Sequence, residues 1–358
     1  MNIKSLLLGS AAVLIAASGA RAADAVVVAE PEPVEYVRVC DTYGAGFFYI
    51  PGTETCLKLD GYMRYDAHAG DDAYTGNDRD DTYFKRTRFS LRVDARNETE
   101  LGTLRSYAEL RFNFDDGNNA DSVELNNGFI ELGGFRVGAT DSQFISWTGY
   151  LGDIINDDVV LEGNYVTNQI SYTWAGGNGF SAMIGAEQGK TNDQGYGTVD
   201  YRIDDYMPHV VAGAKFEQAW GKISGVAGYD SVSEEWAGKI RLDVNFTDTV
   251  SAWVMGGYKS DGDDYENNYF GTWHGDYAVW GGLAAKVSEK ATFNAQAAYE
   301  DDGTFAAAMN VAYELVPGFV ITPEISYTSF GGERKDLGNF AGNEDDAFEG
   351  IIRFQRNF

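Results

Sequence analysis

Phe348-Glu349-Gly350-Ile351-Ile352-Arg353-Phe354-Gln355-Arg356-Asn357-Phe358 ends the chain. Positions 348, 350, 352, 354 and 358 carry apolar groups or glycine, with Arg356 the exception. Positions 349, 353, 355 and 357 carry polar ones. Side chains alternate across a strand with a period of two, so the segment predicts a β-strand with one apolar and one hydrated face, running up to a terminal aromatic.

The same alternation recurs back through the chain. Over 56–68, Leu57, Leu59, Met63, Tyr65 and Ala67 point one way, and Lys58, Asp60, Tyr62, Arg64 and Asp66 the other. Over 82–96, Phe89, Leu91, Val93 and Ala95 oppose Arg86, Arg88, Ser90, Arg92, Asp94 and Arg96. Over 103–114, Leu104, Ala108, Leu110, Phe112 and Phe114 oppose Arg105, Tyr107, Glu109, Arg111 and Asn113. Further strands are expected at 123–133, 134–140, 165–175, 179–188, 208–217, 220–230, 234–246, 250–260, 277–287, 291–300, 303–315, 318–329 and 346–358. The total is sixteen, an even number, with lengths suited to tilted membrane strands. No apolar run beyond the N-terminus reaches the roughly 18 residues of a spanning helix. Mean hydropathy is −0.31, which a membrane protein tolerates when lipid meets every second residue. The expected fold is an all-β transmembrane antiparallel barrel.

The connections agree. Links at 69–81, 115–122, 141–164, 189–207, 261–276 and 330–345 are long and, apart from 141–164, mainly polar; two more on that side, near 231–233 and 301–302, are short, and those between the alternate strand pairs are all tight, as at Gly133-Gly134 and Val316-Pro317-Gly318. Short turns at one end and long loops at the other distinguish the two sides of an outer-membrane barrel. Apolar-face aromatics gather at both ends. Tyr229, Trp236, Tyr258, Tyr277, Tyr299, Phe305, Tyr327 and Phe348 lie beside the loops, and Trp174, Phe180, Phe293, Tyr313, Phe319 and Phe358 beside the turns. These are the expected girdles at the two water–lipid boundaries.

Ahead of the barrel, Lys4, the apolar stretch Leu6 to Ala17 and Ala20-Arg21-Ala22 read as a signal peptide over 1–22. Residues 23–55 are expected to form a periplasmic leader and a loop, and 56–358 the barrel. Cys40 and Cys56 are the two cysteines. In an exported chain they read as one disulfide closing a loop of about 15 residues, worth about 3 kcal/mol, with two free thiols as the alternative.

Formal net charge is −28, which argues against nucleic acid as a partner. The three histidines, His68, His209 and His274, show no triad logic, and no HExxH, GxSxG or phosphate-loop pattern is present. His68 reads as a solvated residue beside a loop. The acidic tracts Asp78-Arg79-Asp80-Asp81, Asp261-Gly262-Asp263-Asp264 and Glu344-Asp345-Asp346 lack EF-hand spacing. No catalytic residue, metal ligand or cofactor is expected.

The chemistry resides in charge. Arg64, Arg88, Arg92 and Arg111 fall near mid-height on the hydrated face, and Lys58, Arg86, Arg96, Arg105 and Arg136 extend the strip. Strand spacing of about 4.8 Å makes this one basic wall. Asp60, Asp94 and Glu109 stud it, so part of it is expected to be a salt-bridge lattice. The loop 141–164 contains Phe144, Ile145, Trp147, Tyr150, Leu151, Ile154 and Ile155, too apolar to lie in water. It is expected to pack inward on the barrel wall, with Asp141, Asp153, Asp157, Asp158 and Glu162 as the acidic side of a constriction; the alternative is packing on a neighbouring subunit. Charges about 6 Å apart in water interact by roughly 0.7 kcal/mol, which predicts mild preference and not a strict filter.

Three stretches carry a resemblance: Val34-Glu35-Tyr36-Val37-Arg38-Val39-Cys40 with Pro51-Gly52-Thr53-Glu54-Thr55-Cys56, Thr148-Gly149-Tyr150-Leu151-Gly152-Asp153, and Ile352-Arg353-Phe354-Gln355-Arg356-Asn357-Phe358. They are similar to segments of the alphaproteobacterial general porins. That resemblance implies a sixteen-stranded barrel closed by the terminal aromatic Phe358 and a third loop folded into the lumen. It implies homotrimers in the outer membrane, among lipid and lipopolysaccharide, and passive diffusion of small hydrophilic solutes and ions. It also implies pairing of Cys40 with Cys56, and a basic ladder at Arg64, Arg88, Arg92 and Arg111. The competing readings are a surface adhesin or receptor anchored by a barrel with a closed lumen, and a barrel enzyme.

Overall fold

The computed structural model describes residues 37–76, 79, 82–116, 118–119, 123–193, 198–260, 268–336 and 345–358. The expected signal peptide, most of the leader, and Asp78, Asp80, Asp81, Asp261 to Asp264 and Glu344 lie outside the described residues.

Sixteen strands form the barrel. In chain order they are β1 (Cys56–Gly70), β2 (Tyr83–Thr99), β3 (Gly102–Asp115), β4 (Glu124–Leu132), β5 (Phe135–Asp141), β6 (Val166–Gly177), β7 (Phe180–Glu187) and β8 (His209–Gln218), followed by β9 (Gly221–Tyr229), β10 (Trp236–Asn245), β11 (Val250–Lys259), β12 (Tyr277–Lys286), β13 (Ala291–Glu300), β14 (Phe305–Val316), β15 (Phe319–Ser329) and β16 (Asp346–Asn357). Each pairs antiparallel with its sequence neighbours. β16 returns to β1, with Tyr62 opposite Asn357 and Gly70 opposite Glu349. Gly61 and Phe358 exchange backbone hydrogen bonds of 3.2 and 3.1 Å, so the last residue completes the seam. Closure leaves no open edge, which is the condition for strands to cross lipid. Every strand end falls within three residues of its expected position.

Parity holds around the wall. Met63 is 48% and Ile240 65% exposed in the isolated chain, while Asp66, Ser90, Lys239, Asn310 and Glu324 on the opposite face are buried. A soluble protein would reverse this arrangement. Ile351 breaks the polar parity of β16 and is buried on the inner face.

At the loop end the outer aromatics are direct cross-strand partners: Tyr229 with Trp236, Tyr258 with Tyr277, Tyr299 with Phe305, and Tyr327 with Phe348. At the turn end Trp174 and Phe180 meet edge to face at 5.9 Å, and Phe358 stacks on Phe89 at 6.1 Å. The turn between β14 and β15 places Pro317 before Gly318, whose φ of +77° suits a type II turn. Cys40 and Cys56 are joined by a disulfide, which ties the entering chain to the first residue of β1. Arg96 lies over Phe47 and Tyr43 beside that bond, at 5.0 and 5.5 Å. Three small features lie outside the expected sixteen strands: a hairpin in the β7–β8 loop, Thr191–Asp193 with Thr198–Asp200, and the two-residue strands Phe48–Tyr49 and Asn118–Asn119, which pair with β1 and β3.

Candidate functional site

The segment after β5 begins with one helical turn, Gln143–Ser146, capped by Ser142, whose hydroxyl accepts from the Phe144 amide. A short polar side chain before an apolar run is a helix start. Phe144, Trp147, Leu151 and Val160 then join Met183, Val211, Val226, Met255 and Trp280 in one buried cluster. These partners lie on the inner face of β7 to β12.

Inner-face polar groups hold the same segment along its length. The Glu187 carboxylate accepts the Gln143 amide at 2.8 Å. Lys222 donates to the Thr148 carbonyl, and Arg241 to those of Gly149 and Tyr150. Asn310 reaches the Asp153 carbonyl and Gln296 that of Asp157, at 2.7 and 2.6 Å. Glu324 accepts both the Ile155 and Asn156 amides, at 2.6 and 2.9 Å. Glu349 accepts from the Asn156 side chain, and Trp280 donates to the Val160 carbonyl. Backbone groups of a buried loop need such partners. None of these anchors was foreseen in the sequence. Their signal was present, because Lys239, Arg241, Gln296, Asn310 and Glu324 are large polar residues at inner parity in strands otherwise rich in Ala and Gly.

The acidic residues of the segment separate into different environments. Asp153 is exposed. Asp157 and Asp158 are half-buried, and Asp158 accepts from the Tyr74 hydroxyl at 2.7 Å. Burial, and then the charge of Asp158, push the Asp157 carboxyl well above the usual range. Asp141 accepts from the Tyr150 hydroxyl at 2.6 Å. Glu162 departs from expectation. It is 1% exposed and packed against Lys239, so it faces the wall and not the lumen. Burial raises its carboxyl against the pull of Lys239.

The basic residues lie where parity placed them, and most are neutralised. Lys58 is 3.0 Å from Asp60, and Arg92 is 3.8 Å from Asp60 and 3.6 Å from Glu109. Arg111 is 3.0 Å from Glu109, and Arg86 2.7 Å from Asp115. Arg96 and Arg105 share Asp94 at 2.7 and 2.9 Å. Arg105 and Arg136 also share Glu131. Arg353 pairs with Asp66 at 2.7 Å. Arg64 and Arg88 have no carboxylate within 4.0 Å among the described residues; each donates through Nε to a carboxamide, Gln355 at 2.8 Å and Asn113 at 2.7 Å. The salt-bridge lattice anticipated from Asp60, Asp94 and Glu109 is present and leaves two guanidiniums outside it.

His68 is not a freely solvated residue. It is half-buried, with Nδ1 2.9 Å from Glu349. His209 and His274 also sit beside carboxylates, Asp230 at 3.1 Å and Asp302 at 3.4 Å. His274, Glu300 and Asp302 place ligand-type atoms within 4.8 Å of one another, but Arg334 already donates to Glu300.

A closed barrel with an apolar exterior and a charged, hydrogen-bonded interior is an outer-membrane channel. The comparisons agree with that class. The porin subfamily profile matches residues 24–351. Porin Omp2b of Brucella suis is 58% identical over the full length of both chains, and Porin Omp2b of Brucella abortus 57%. The outer membrane channel DcaP of Acinetobacter baumannii superposes with a TM-score of 0.66 at 16% identity, covering 87% of this chain and 99% of that one. A triple mutant of Rhodopseudomonas blastica porin gives 0.56 at 15% identity, covering 84% of this chain and all of the other. The chain belongs to the porin family. It is a multi-pass barrel of the outer membrane and forms a porin channel.

Proposed function

We propose that this porin is a passive diffusion pore narrowed between the arginine wall of β1 to β5 and the segment 142–164. The observation that supports it most is the line of inner-face anchors from Glu187 to Glu349, which fixes that segment along one side while the basic residues line the other. Small hydrophilic solutes and ions pass down their gradients, and no catalytic step is part of the reading. Asp153, Asp157, Asp158 and Asp141 supply the acidic side; Lys58, Arg64, Arg86, Arg88, Arg92, Arg105 and Arg111 the basic side. The working unit is a homotrimer bounded by lipid and lipopolysaccharide, and residues 1–22 are removed on export.

Purified protein in planar bilayers is expected to give stepwise conductance in KCl, and proteoliposomes should swell in small sugars. An adhesin with a closed lumen would give neither. Chemical cross-linking in mild detergent should stop at three chains; a limit at one would overturn the trimer.

A further inference from the structure

We infer that Arg64 and Arg88 form a two-guanidinium clamp for the oxyanion group of a small solute, a carboxylate or a phosphate. This rests on the diffusion-pore reading and adds a preferred solute class to it.

Cross-strand register carries the inference. Across β16, β1, β2 and β3, Arg353, Asp66, Arg86 and Asp115 stand in one row, alternating in charge. Lower on the wall, Asp60, Arg92 and Glu109 alternate again. Between them lies the row Gln355, Arg64, Arg88, Asn113. Here two like charges stand directly opposite each other and their outer neighbours are neutral. Like charges in that position are unfavourable by themselves. At the β3 end Asn113 accepts from Arg88 Nε the bond that Asp115 accepts from Arg86 in the row above, and at the β16 end, where that row has Arg353, Gln355 accepts from Arg64 Nε. Gln355 is held in that orientation by donating to Asn357, two residues further along β16, at 2.8 Å.

The donors left over are suited to an oxyanion. Both Nε atoms are engaged, at 2.8 and 2.7 Å, and among the described residues no partner contacts the terminal Nη groups. The Arg64 guanidinium lies 4.6 Å from the Tyr62 ring, which steadies it. Opposed residues in an antiparallel pair have Cα atoms about 4.5 to 5.5 Å apart. Two planar forks rooted on opposed residues have the reach to share the oxygens of one carboxylate or phosphate, whereas chloride cannot use forked geometry. The other arginines of the wall have carboxylates already in that role.

The test is single-channel recording in KCl with inorganic phosphate added in one arm and succinate in another. Either anion is expected to depress the chloride current of the native protein, and the responding arm identifies the group preferred. R64Q and R88Q should each weaken that inhibition about tenfold or more while KCl steps persist. The R64K/R88K double variant keeps the charge but loses the forks, and should show the same weakening. Inhibition that is absent in the native protein, unchanged in R64Q and R88Q, or retained in R64K/R88K would overturn the clamp while leaving the pore intact. Absence of KCl steps in the native protein would overturn the pore reading and the clamp together.

Discussion

Lys239 Nζ lies 3.2 Å from Glu162 Oε2 and donates to the Glu162 carbonyl at 2.8 Å, with both side chains shut off from solvent. The ammonium also sits 4.7 Å from the Phe144 ring centre. One inner-face lysine of β10 therefore holds both ends of the segment after β5: its start through Phe144 and its return through Glu162. A buried pair of this kind need not exceed apolar packing in stability, but removing one partner strands the other in a low-dielectric site.

Lys239→Met should therefore cost about 3 to 5 kcal/mol of local stability, because Glu162 is left buried and unpaired. Lys239→Met combined with Glu162→Leu should recover most of that loss. Protease cleavage between residues 142 and 164 of the folded protein measures it. Faster cleavage in the single variant and near-native resistance in the double are expected; equal cleavage in both would contradict the staple.

Much of this architecture is legible in the sequence because a barrel repeats one rule. Lipid outside and water inside force period two on every strand, so Met63, Ile240 and Phe348 reveal their faces without knowledge of their neighbours. Register is less accessible. That Arg64 meets Gln355 while Arg353 meets Asp66 depends on the stagger of β16 against β1, which the turns between consecutive strands do not set. Glu162 was misplaced for a related reason. Its partner Lys239 is 77 positions away, and nothing local distinguishes a carboxylate bound for the wall from one bound for water.

Glu324 anchors the far part of the segment by accepting the amides of Ile155 and Asn156. Glu324→Ala leaves the amides of half-buried Ile155 and buried Asn156 without their acceptor, at up to about 1 to 3 kcal/mol each. The segment should loosen, and single-channel records should show larger or flickering open currents. A record as quiet as that of the native protein would mean that Gln296 and Asn310 suffice.

Asp230 gives the outer end a dependence on acid. Burial alone would raise its carboxyl, but His209, Ser233 and the Tyr269 amide outweigh burial and hold it at about 2, below its ordinary 3.8. A lowered carboxyl stabilises above its unfolded value and ceases to do so as pH falls toward the folded one. The contribution, of order 2 kcal/mol, should vanish between about pH 4 and pH 2. Melting temperatures across that range should fall more steeply for the native protein than for Asp230→Asn. Parallel curves would assign the acid sensitivity to other groups.

The Cys40–Cys56 disulfide closes a short loop against the start of β1. Changing both residues to serine should remove about 3 kcal/mol in the chain-entropy account. The barrel itself should persist, because all sixteen strands pair without the loop. Circular dichroism should keep its strand signal while the midpoint of thermal unfolding drops. Loss of the strand signal would give the loop a role in folding the barrel.

The acidic side of the lumen offers the sharpest test of the constriction. Asp153 is exposed while its carbonyl is fixed by Asn310, so its charge has a defined place and meets water. Asp158 is tied to Tyr74 and half-buried. Neutralising Asp153, Asp157 and Asp158 together should shift the reversal potential in a KCl gradient toward anions, more than neutralising Asp78, Asp80 and Asp81 does. Asp153→Asn alone should account for more of the shift than Asp158→Asn, since an exposed charge acts on passing ions whereas a hydrogen-bonded one is partly spent on its partner. In an aqueous lumen each charge is worth under about 1 kcal/mol to a passing ion, so changes of a few-fold in permeability ratio are expected. Equal effects from the two triplets would place the narrowest section elsewhere.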